Sequence, residues 1–444
     1  MIDLVLAADD WKALTAKLIG TPTEECAVLF TRQVTRSDGH VRLLVRVVEF
    51  PQRDDYTQQG PVNAQLTPVW VAWVTKRARQ GGFGVVFVHS HPGTRPPEFS
   101  TIDDVGERHL ADFLARRHPD RCHVAMVVSA GGVCARRLGA QEYLRVVSLG
   151  ASLQVLADPA GPRRLTDETF DRQVRAFGPD GQAQLQRLRI GVVGLGGTGS
   201  VVVQQLAHLG VAEFLLIDPD VLEISNLNRV VGAQPSDVGQ AKVDIAARML
   251  HRINPAASIQ TQQGDVIRAG VAIELRDVDV IFGCTDSHGS RAVLQQLAYQ
   301  YLLPYFDVGT VIAVREGTIT HISGQARLLA PGLACHTCAG LLDPEQVRRD
   351  MMTAFERQQD PYIVGATTPA PAVISINSTV ASLAITMLLS VVTGLPGDAR
   401  HLLYDGIKPS VRVLRAVPVA NCFICSKDGA LAEGDAWPLL ARQD

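Results

Sequence analysis

Apolar residues in the first third of the chain gather in short runs rather than in one helical stripe. Val41 to Phe50, Phe83 to His89 and Cys122 to Val128 each read as a strand, with helix-like stretches between them, so 1–156 is expected to form a compact mixed α/β domain. The stretch ADPAGPRRLTDETFDRQ, Ala157 to Gln173, is polar and rich in turn formers, which places a linker over 157–168. Beyond it the pattern becomes βαβ. Leu188 to Gly194 predicts a strand, Ser200 to Leu209 a helix and Phe214 to Asp218 the next strand, with further strands at Val278 to Gly283, Tyr305 to Val308 and Gly317 to Ser323. That order predicts a doubly wound α/β sheet over 169–426, and 427–444 is expected to be a mobile tail. Val373 to Val392 is the longest weakly polar run. Ser375, Asn377, Ser378, Thr379, Ser382 and Thr386 interrupt it, which predicts a buried helix rather than a membrane span.

A chain of 444 residues exceeds what one core usually serves, in keeping with two domains. Net charge is −3 and the 20% of charged residues are of mixed sign, so the basic footprint of a nucleic-acid partner is missing. Asp3, Asp9 and Asp10 stand where a secretion signal would carry positive charge; a cytoplasmic protein without a membrane partner is expected. Eight cysteines in such a chain point to metal or redox chemistry rather than to disulfides.

His89 and His91 lie two apart at the end of the strand VVFVHSH, so their side chains share a face and can grip one ion. Ser100 and Asp103 open the next predicted helix, where the aspartate can add a third ligand and the serine a hydrogen bond to a polarised carbonyl; a fourth position stays open for water. Ser100 and Asp103 also fit a helix start signal, and capping can coexist with ligation. The H-S-H-P and S-T-I-D pair resembles the JAMM metalloproteases, also called JAB or MPN domains. The resemblance implies catalytic zinc on His89, His91 and Asp103, with Glu24 in TEECAVLF as general base and Glu25 as its rival. Zinc acidifies a water to a pKa of about 7 and polarises the scissile carbonyl, so a nearby carboxylate can take the proton. Eight residues separate His91 from Ser100, one more than the family usually has, so that loop is expected to bulge.

LRIGVVGLGGTGSVVVQQLAHLG sets Gly194, Gly196, Gly197 and Gly199 between a strand and a helix amino terminus, whose amides can hold phosphate. Asp218 ends the next strand 19 positions beyond Gly199, where it can take the ribose hydroxyls of ATP or of a dinucleotide. An NAD-dependent oxidoreductase is therefore one reading. Asn226 and Arg229 in SNLNR, Lys242 in GQAK and Asp286 in GCTD favour another: attack of a carboxylate on the α-phosphate of ATP needs cations on the phosphates and a carboxylate for magnesium. Taken singly, each of these residues fits a solvated surface position. Together, from about Thr169 to Cys425, they resemble the ThiF and MoeB adenylyltransferases and the adenylation domain of ubiquitin-activating enzymes. The resemblance implies a Rossmann-like fold, ribose binding by Asp218, phosphate contacts from Asn226, Arg229 and Lys242, and magnesium on Asp286. It also implies a homodimer in which Arg172 of FDRQVRAFGPDGQAQL reaches the other subunit's site.

CHTC and CFIC give Cys335, Cys338, Cys422 and Cys425, whose paired spacing suits a closed structural zinc site. Thioester-forming relatives place a nucleophilic cysteine in the crossover, here roughly Leu342 to Pro371, and this chain has none there. Thr367 and Thr368 are alternative acceptors, or they only shape a loop. The combined expectation is a bifunctional enzyme that adenylates the carboxyl-terminal glycine of a ubiquitin-like protein and cleaves after that glycine, in a bacterial conjugation pathway with a conjugating-enzyme-like partner. Activation and processing of a sulfur-carrier protein is the runner-up. A catalytically silent scaffold is the remaining alternative.

Overall fold

The computed structural model describes residues 2–161, 168–359 and 370–443, which form two compact units. The first unit takes in Met1–Gly161, Gln300–Leu302 and Ala430–Pro438. Its elements are β1 (Ile2–Ala7), α1 (Ala8–Leu18), β2 (Cys26–Thr35), β3 (Val41–Glu49), the hairpin β4 (Tyr56–Gly60) and β5 (Asn63–Leu66), α2 (Pro68–Gly81), β6 (Gly84–Ser90), α3 (Thr101–Arg117), β7 (Val124–Ser129), β8 (Gly132–Arg137), β9 (Arg145–Leu149) and β10 (Leu153–Ala157). Eight strands join one mixed sheet in the order β10-β9-β1-β3-β2-β6-β7-β8. Strand periodicity explains why helices cover both faces. Along β2, Ala27 and Leu29 enter one core with Leu14 and Leu18 of α1, whereas Val28 and Phe30 enter a second with Trp70, Val74 and Ala78 of α2. Thr67 caps α2 by accepting from Trp70 N–H, and Gly82 ends it in the left-handed region at φ +66°.

Within the segment 427–444, expected to be a mobile tail, residues 430–438 are instead packed into the first unit. Ala430, Leu431 and Ala432 are buried in the first unit, and Glu433 takes Arg32 Nε on Oε2 and Arg46 Nε on Oε1, each at 2.7 Å. Its short run of small and polar residues carries no periodicity, and the partners that fix it lie 387 and 401 positions away.

The second unit contains α4 (Asp171–Arg187), β11 (Arg189–Val193), α5 (Gly197–His208), β12 (Glu213–Ile217), α6 (Lys242–Ile253), β13 (Ser258–Gln262), α7 (Ala269–Ala272), β14 (Val280–Gly283), α8 (His288–Gln300), β15 (Tyr305–Arg315), β16 (Thr318–Leu329), α9 (Pro344–Met351), α10 (Ala354–Gln359), α11 (Ile374–Val392), β17 (His401–Asp405) and β18 (Ser410–Val413). The sheet order is β13-β12-β11-β14-β15-β16-β17-β18, parallel as far as β15 and antiparallel beyond it. Neighbours β12 and β14 leave β11 on opposite sides, so the chain reverses direction of travel across the sheet at β11 and opens a crevice at its carboxyl end. The apolar helix Ile374–Val392 packs on α5, β15 and β16. Val380, Ala381, Ala384 and Leu388 are buried on one side, while Ser375, Thr379, Ser382 and Thr386 form the exposed stripe.

Candidate functional site

In the first unit, antiparallel pairing sets Cys26 opposite His89, which brings the residues just ahead of β2 beside the histidine pair. Ser90, turned away from the histidines, is buried and fastens this junction: its Oγ accepts from Glu25 N–H at 2.9 Å, and its own N–H donates to the Glu25 carbonyl at 2.9 Å. From the other side comes the start of α3, where exposed Ser100 is the N-cap. Ser100 Oγ accepts from Asp103 N–H, and Asp103 Oδ2 accepts from Ser100 N–H at 2.6 Å. The cap thus fixes the aspartate backbone and leaves Oδ1 for His89 Nε2 at 3.2 Å; the two Nε2 atoms of His89 and His91 are also 3.2 Å apart. Ligand atoms on a tetrahedral zinc at bond lengths near 2.0–2.1 Å lie about 3.3 Å apart, so this trio fits zinc in both chemistry and spacing.

Glu24 is buried, with Oε1 at 3.9 Å from His91 Nε2, whereas Glu25 Oε2 accepts from Tyr56 OH at 3.4 Å. Burial pushes the Glu24 carboxyl up, and His89 draws it partly back. Burial would also raise Asp103, but its bond to His89 holds it well below the usual carboxylate range. His91 is pushed down by burial and by His89, towards the neutral form that ligates metal. The long loop between His91 and Ser100 leans on the β7–β8 turn. Ser129 Oγ donates to the Arg95 carbonyl at 2.6 Å, and a Cβ on Gly131 would stand 2.4 Å from the Thr94 carbonyl oxygen. Behind α3, buried Arg136 holds Glu107 and Asp104 and lies 3.9 Å from the Phe99 ring centroid. Tyr56, Gly131 and Arg136 belong to no sequence motif, and the role of Ser90 inside H-S-H-P is likewise revealed only by the strand register.

In the second unit the glycine turn joins β11 to α5 at the crevice. Gly194 sits at φ +87°, and a Cβ on Gly199 would stand 1.8 Å from the Gly194 carbonyl oxygen, so the strand-to-helix turn closes only on glycine. Gly196 is the N-cap of α5 with open space beside it. At Gly197 a Cβ would meet the Asn377 amide at 2.2 Å and Arg229 Cδ at 3.2 Å, which lays Arg229 over the turn. Asp218 is buried; Oδ2 accepts from Leu195 N–H at 2.5 Å and Oδ1 from Asp220 N–H at 2.8 Å, and burial raises its pKa against the pull of Lys242. The ribose candidate therefore also braces the turn. Lys242, first residue of α6, pairs with Asp220 at 2.7 Å. Asn226 is buried, accepting from Glu223 N–H, while Arg229 donates to the Ser225 carbonyl at 2.6 Å. Asp286 is exposed on the loop after β14, and Gly194 packs against the Cys284 carbonyl on that same loop. An exposed carboxylate on a loop beside the glycine turn suits magnesium, which takes one or two carboxylates and otherwise phosphate and water. Arg172 is exposed in the first turn of α4, ahead of the kink at Phe177 and Gly178.

The four distant cysteines come together. Cys335 and Cys422 sulfurs lie 3.6 Å apart, Cys338 and Cys425 3.5 Å, and all four within 4.8 Å of one another. These separations are far too long for disulfides and close to the roughly 3.8 Å edge of a tetrahedral zinc–thiolate site. Amides support it: Cys338 N–H donates to Cys335 Sγ and Val419 N–H to Cys338 Sγ. Thr367 and Thr368 lie outside the described residues.

Residues 170–423 match the ThiF family, and residues 12–139 match the prokaryotic homologs of the JAB domain. The SAMP-activating enzyme E1 of Haloferax volcanii is 28% identical over 256 residues, 57% of this chain and 85% of that protein. The molybdopterin-synthase adenylyltransferase of Escherichia coli is 30% identical over 260 residues, 58% of this chain and 96% of that protein. Ubiquitin-like modifier-activating enzyme 5 of Culex quinquefasciatus is 31% identical over 169 residues, 35% and 41% of the respective chains.

Proposed function

This chain belongs to the ThiF family, and from that premise we propose that it is a bifunctional enzyme acting on a small protein with a carboxyl-terminal glycine. Its second unit adenylates that carboxylate with ATP, and its first hydrolyses the bond that follows the same glycine in a precursor or conjugate. The observation that carries the reading is the grouping of Arg229, Lys242 and Asp218 around the glycine turn, with the Asp286 loop against it. Hydride transfer has no need of that charge set.

In the adenylation step the carboxylate oxygen bonds to the α-phosphorus as the bond to the β-phosphate bridge breaks, and pyrophosphate leaves. Arg229 and Lys242 offset the charge that builds on the phosphates, the α5 amino terminus receives phosphate, and Asp218 takes the ribose. Asp286 would hold magnesium, which would supply further positive charge at the phosphates. Exposed Arg172 completes the site of a second copy in a homodimer. In the first unit His89, His91 and Asp103 would hold zinc, which supplies Lewis-acid polarisation of the scissile carbonyl and an acidified water. Glu24 takes the proton from the attacking water and returns it to the leaving amine, and Ser100 stands ready to donate to the carbonyl oxygen. The four cysteines would hold a structural zinc.

Similarity to a SAMP-activating enzyme and a ubiquitin-like modifier-activating enzyme supports a ubiquitin-like substrate; a cytoplasmic setting and onward transfer to a conjugating-enzyme-like partner belong to the same proposal. Similarity to a molybdopterin-synthase adenylyltransferase supports the second reading, activation of a sulfur carrier. ATP, magnesium and a β-grasp protein ending in glycine should give ATP–pyrophosphate exchange, and Asp286→Ala should abolish it. Exchange that survives the substitution would remove the magnesium assignment, and exchange absent with carriers of both classes would overturn the adenylation itself.

A further inference from the structure

The second unit holds a fully buried carboxylate that the chemistry above does not use. Asp307 lies on β15 opposite Gly283 of β14, beside the strand that continues into Cys284, Thr285 and Asp286. Its Oδ1 accepts from Arg291 Nε and from Tyr305 OH, each at 3.0 Å, and its Oδ2 accepts from Gln325 Nε2 at 2.8 Å. Arg291, in the first turn of α8, spends a second arm of its guanidinium elsewhere: Nη2 donates at 3.0 Å to the Thr285 carbonyl, the peptide group that joins Thr285 to Asp286. On the other side a Cβ at Gly309 would stand 2.8 Å from that Nη2, so the backbone there leaves room for the guanidinium and for little more.

We infer that Arg291, locked by Asp307, is a positioning residue that fixes the Thr285–Asp286 peptide and so aims the Asp286 carboxylate at the magnesium of bound ATP. The inference rests on the adenylation reading. Two physical points carry it. A buried ion pair is a poor source of stability compared with apolar residues of the same volume, so the pair calls for another purpose. A guanidinium is a planar fork that pins two acceptors at fixed separation, which a lysine cannot do. Here one acceptor is anchored in the core and the other is the backbone of the metal loop.

The test compares the full chain with Arg291→Lys and with the double variant Arg291→Met/Asp307→Leu, which replaces the pair by apolar side chains while removing the bond to Thr285. Calorimetric titration with ATP over a range of magnesium concentrations, thermal unfolding, and pyrophosphate exchange are the readouts. Both variants should stay folded, need about tenfold more magnesium for half-maximal ATP binding, and lose about ten- to a hundredfold in exchange rate. A folded double variant with the magnesium dependence of the parent would show that the pair is only packing and would overturn the inference. Should the variants fail to fold, Gln325→Ala, which removes one donor from Asp307 and keeps Arg291, is held to the same criterion. A parent protein that binds no ATP with magnesium would instead sink the adenylation reading.

Discussion

At the scale of single residues, the two neighbouring glutamates show how much the sequence conveys and where it stops. The histidine pair is legible because strand periodicity alone puts positions two apart on one face. Glu24 and Glu25 are indistinguishable by spacing. In three dimensions Glu25 is tied to Tyr56 and, through its backbone, to Ser90, while Glu24 faces His91 from a buried position. Glu24→Gln should therefore retain zinc, measured as metal content, yet cleave a carrier fusion about 10²–10⁴-fold more slowly. Glu25→Gln should stay within a few-fold of the parent. The reverse ranking would make Glu25 the base. Asp218 carries the same lesson in the other unit, since its position at a strand end suggests a ribose ligand, but not that one of its oxygens already binds the Leu195 amide of the turn and the other the Asp220 amide of its own loop.

At the scale of elements, runs with a clear apolar period are legible and edges are not. The strand, glycine turn and helix from Arg189 to His208 follow from composition because β11 is central and α5 buries most of one side. β13, with the sequence SIQTQ, is an edge strand open to solvent, so it has no apolar pattern to show. β15 and β16 run to 11 and 12 residues, past the predicted Tyr305–Val308 and Gly317–Ser323: β15 continues after Gly309 into an exposed hairpin, and β16 continues through Gly324 to Leu329, where it pairs with the start of β15 and with β17. The glycines of the turn look alike in the sequence and differ in consequence. Gly199→Ala forces a methyl into the Gly194 carbonyl and should cost at least the ~1–3 kcal/mol typical of overpacking, with ATP binding lost. Gly196→Ala meets open space and should cost no more than about 1 kcal/mol as an N-cap change. Thermal unfolding of the two variants distinguishes them, and equal effects would contradict the described turn.

At the scale of the whole molecule, the division into two units with separate motif sets is legible from length and from the spacing of those motifs. The membership of Ala430–Pro438 in the first unit is not, because it depends on one carboxylate meeting two arginines from far earlier in the chain. Removing that carboxylate leaves Arg32 and Arg46 largely buried without it, and breaking a buried pair costs about 3–5 kcal/mol, less where water reaches it. Glu433→Ala should therefore lower hydrogen-exchange protection across Cys26–Thr35 and Val41–Glu49 while β11 and β12 keep theirs. Unchanged protection in β2 and β3 would mean that the segment merely rests on the surface.

The same feature sets an order of events during synthesis. Gly161 leaves the ribosome about 270 residues ahead of Ala430, an interval of roughly 13–54 s at 5–20 residues per second. Throughout it the nascent unit that carries His89 and His91 lacks its closing segment, so translation that stops early never releases that unit in finished form. The unit that carries the histidine pair matures only once the unit that carries the glycine turn has been made.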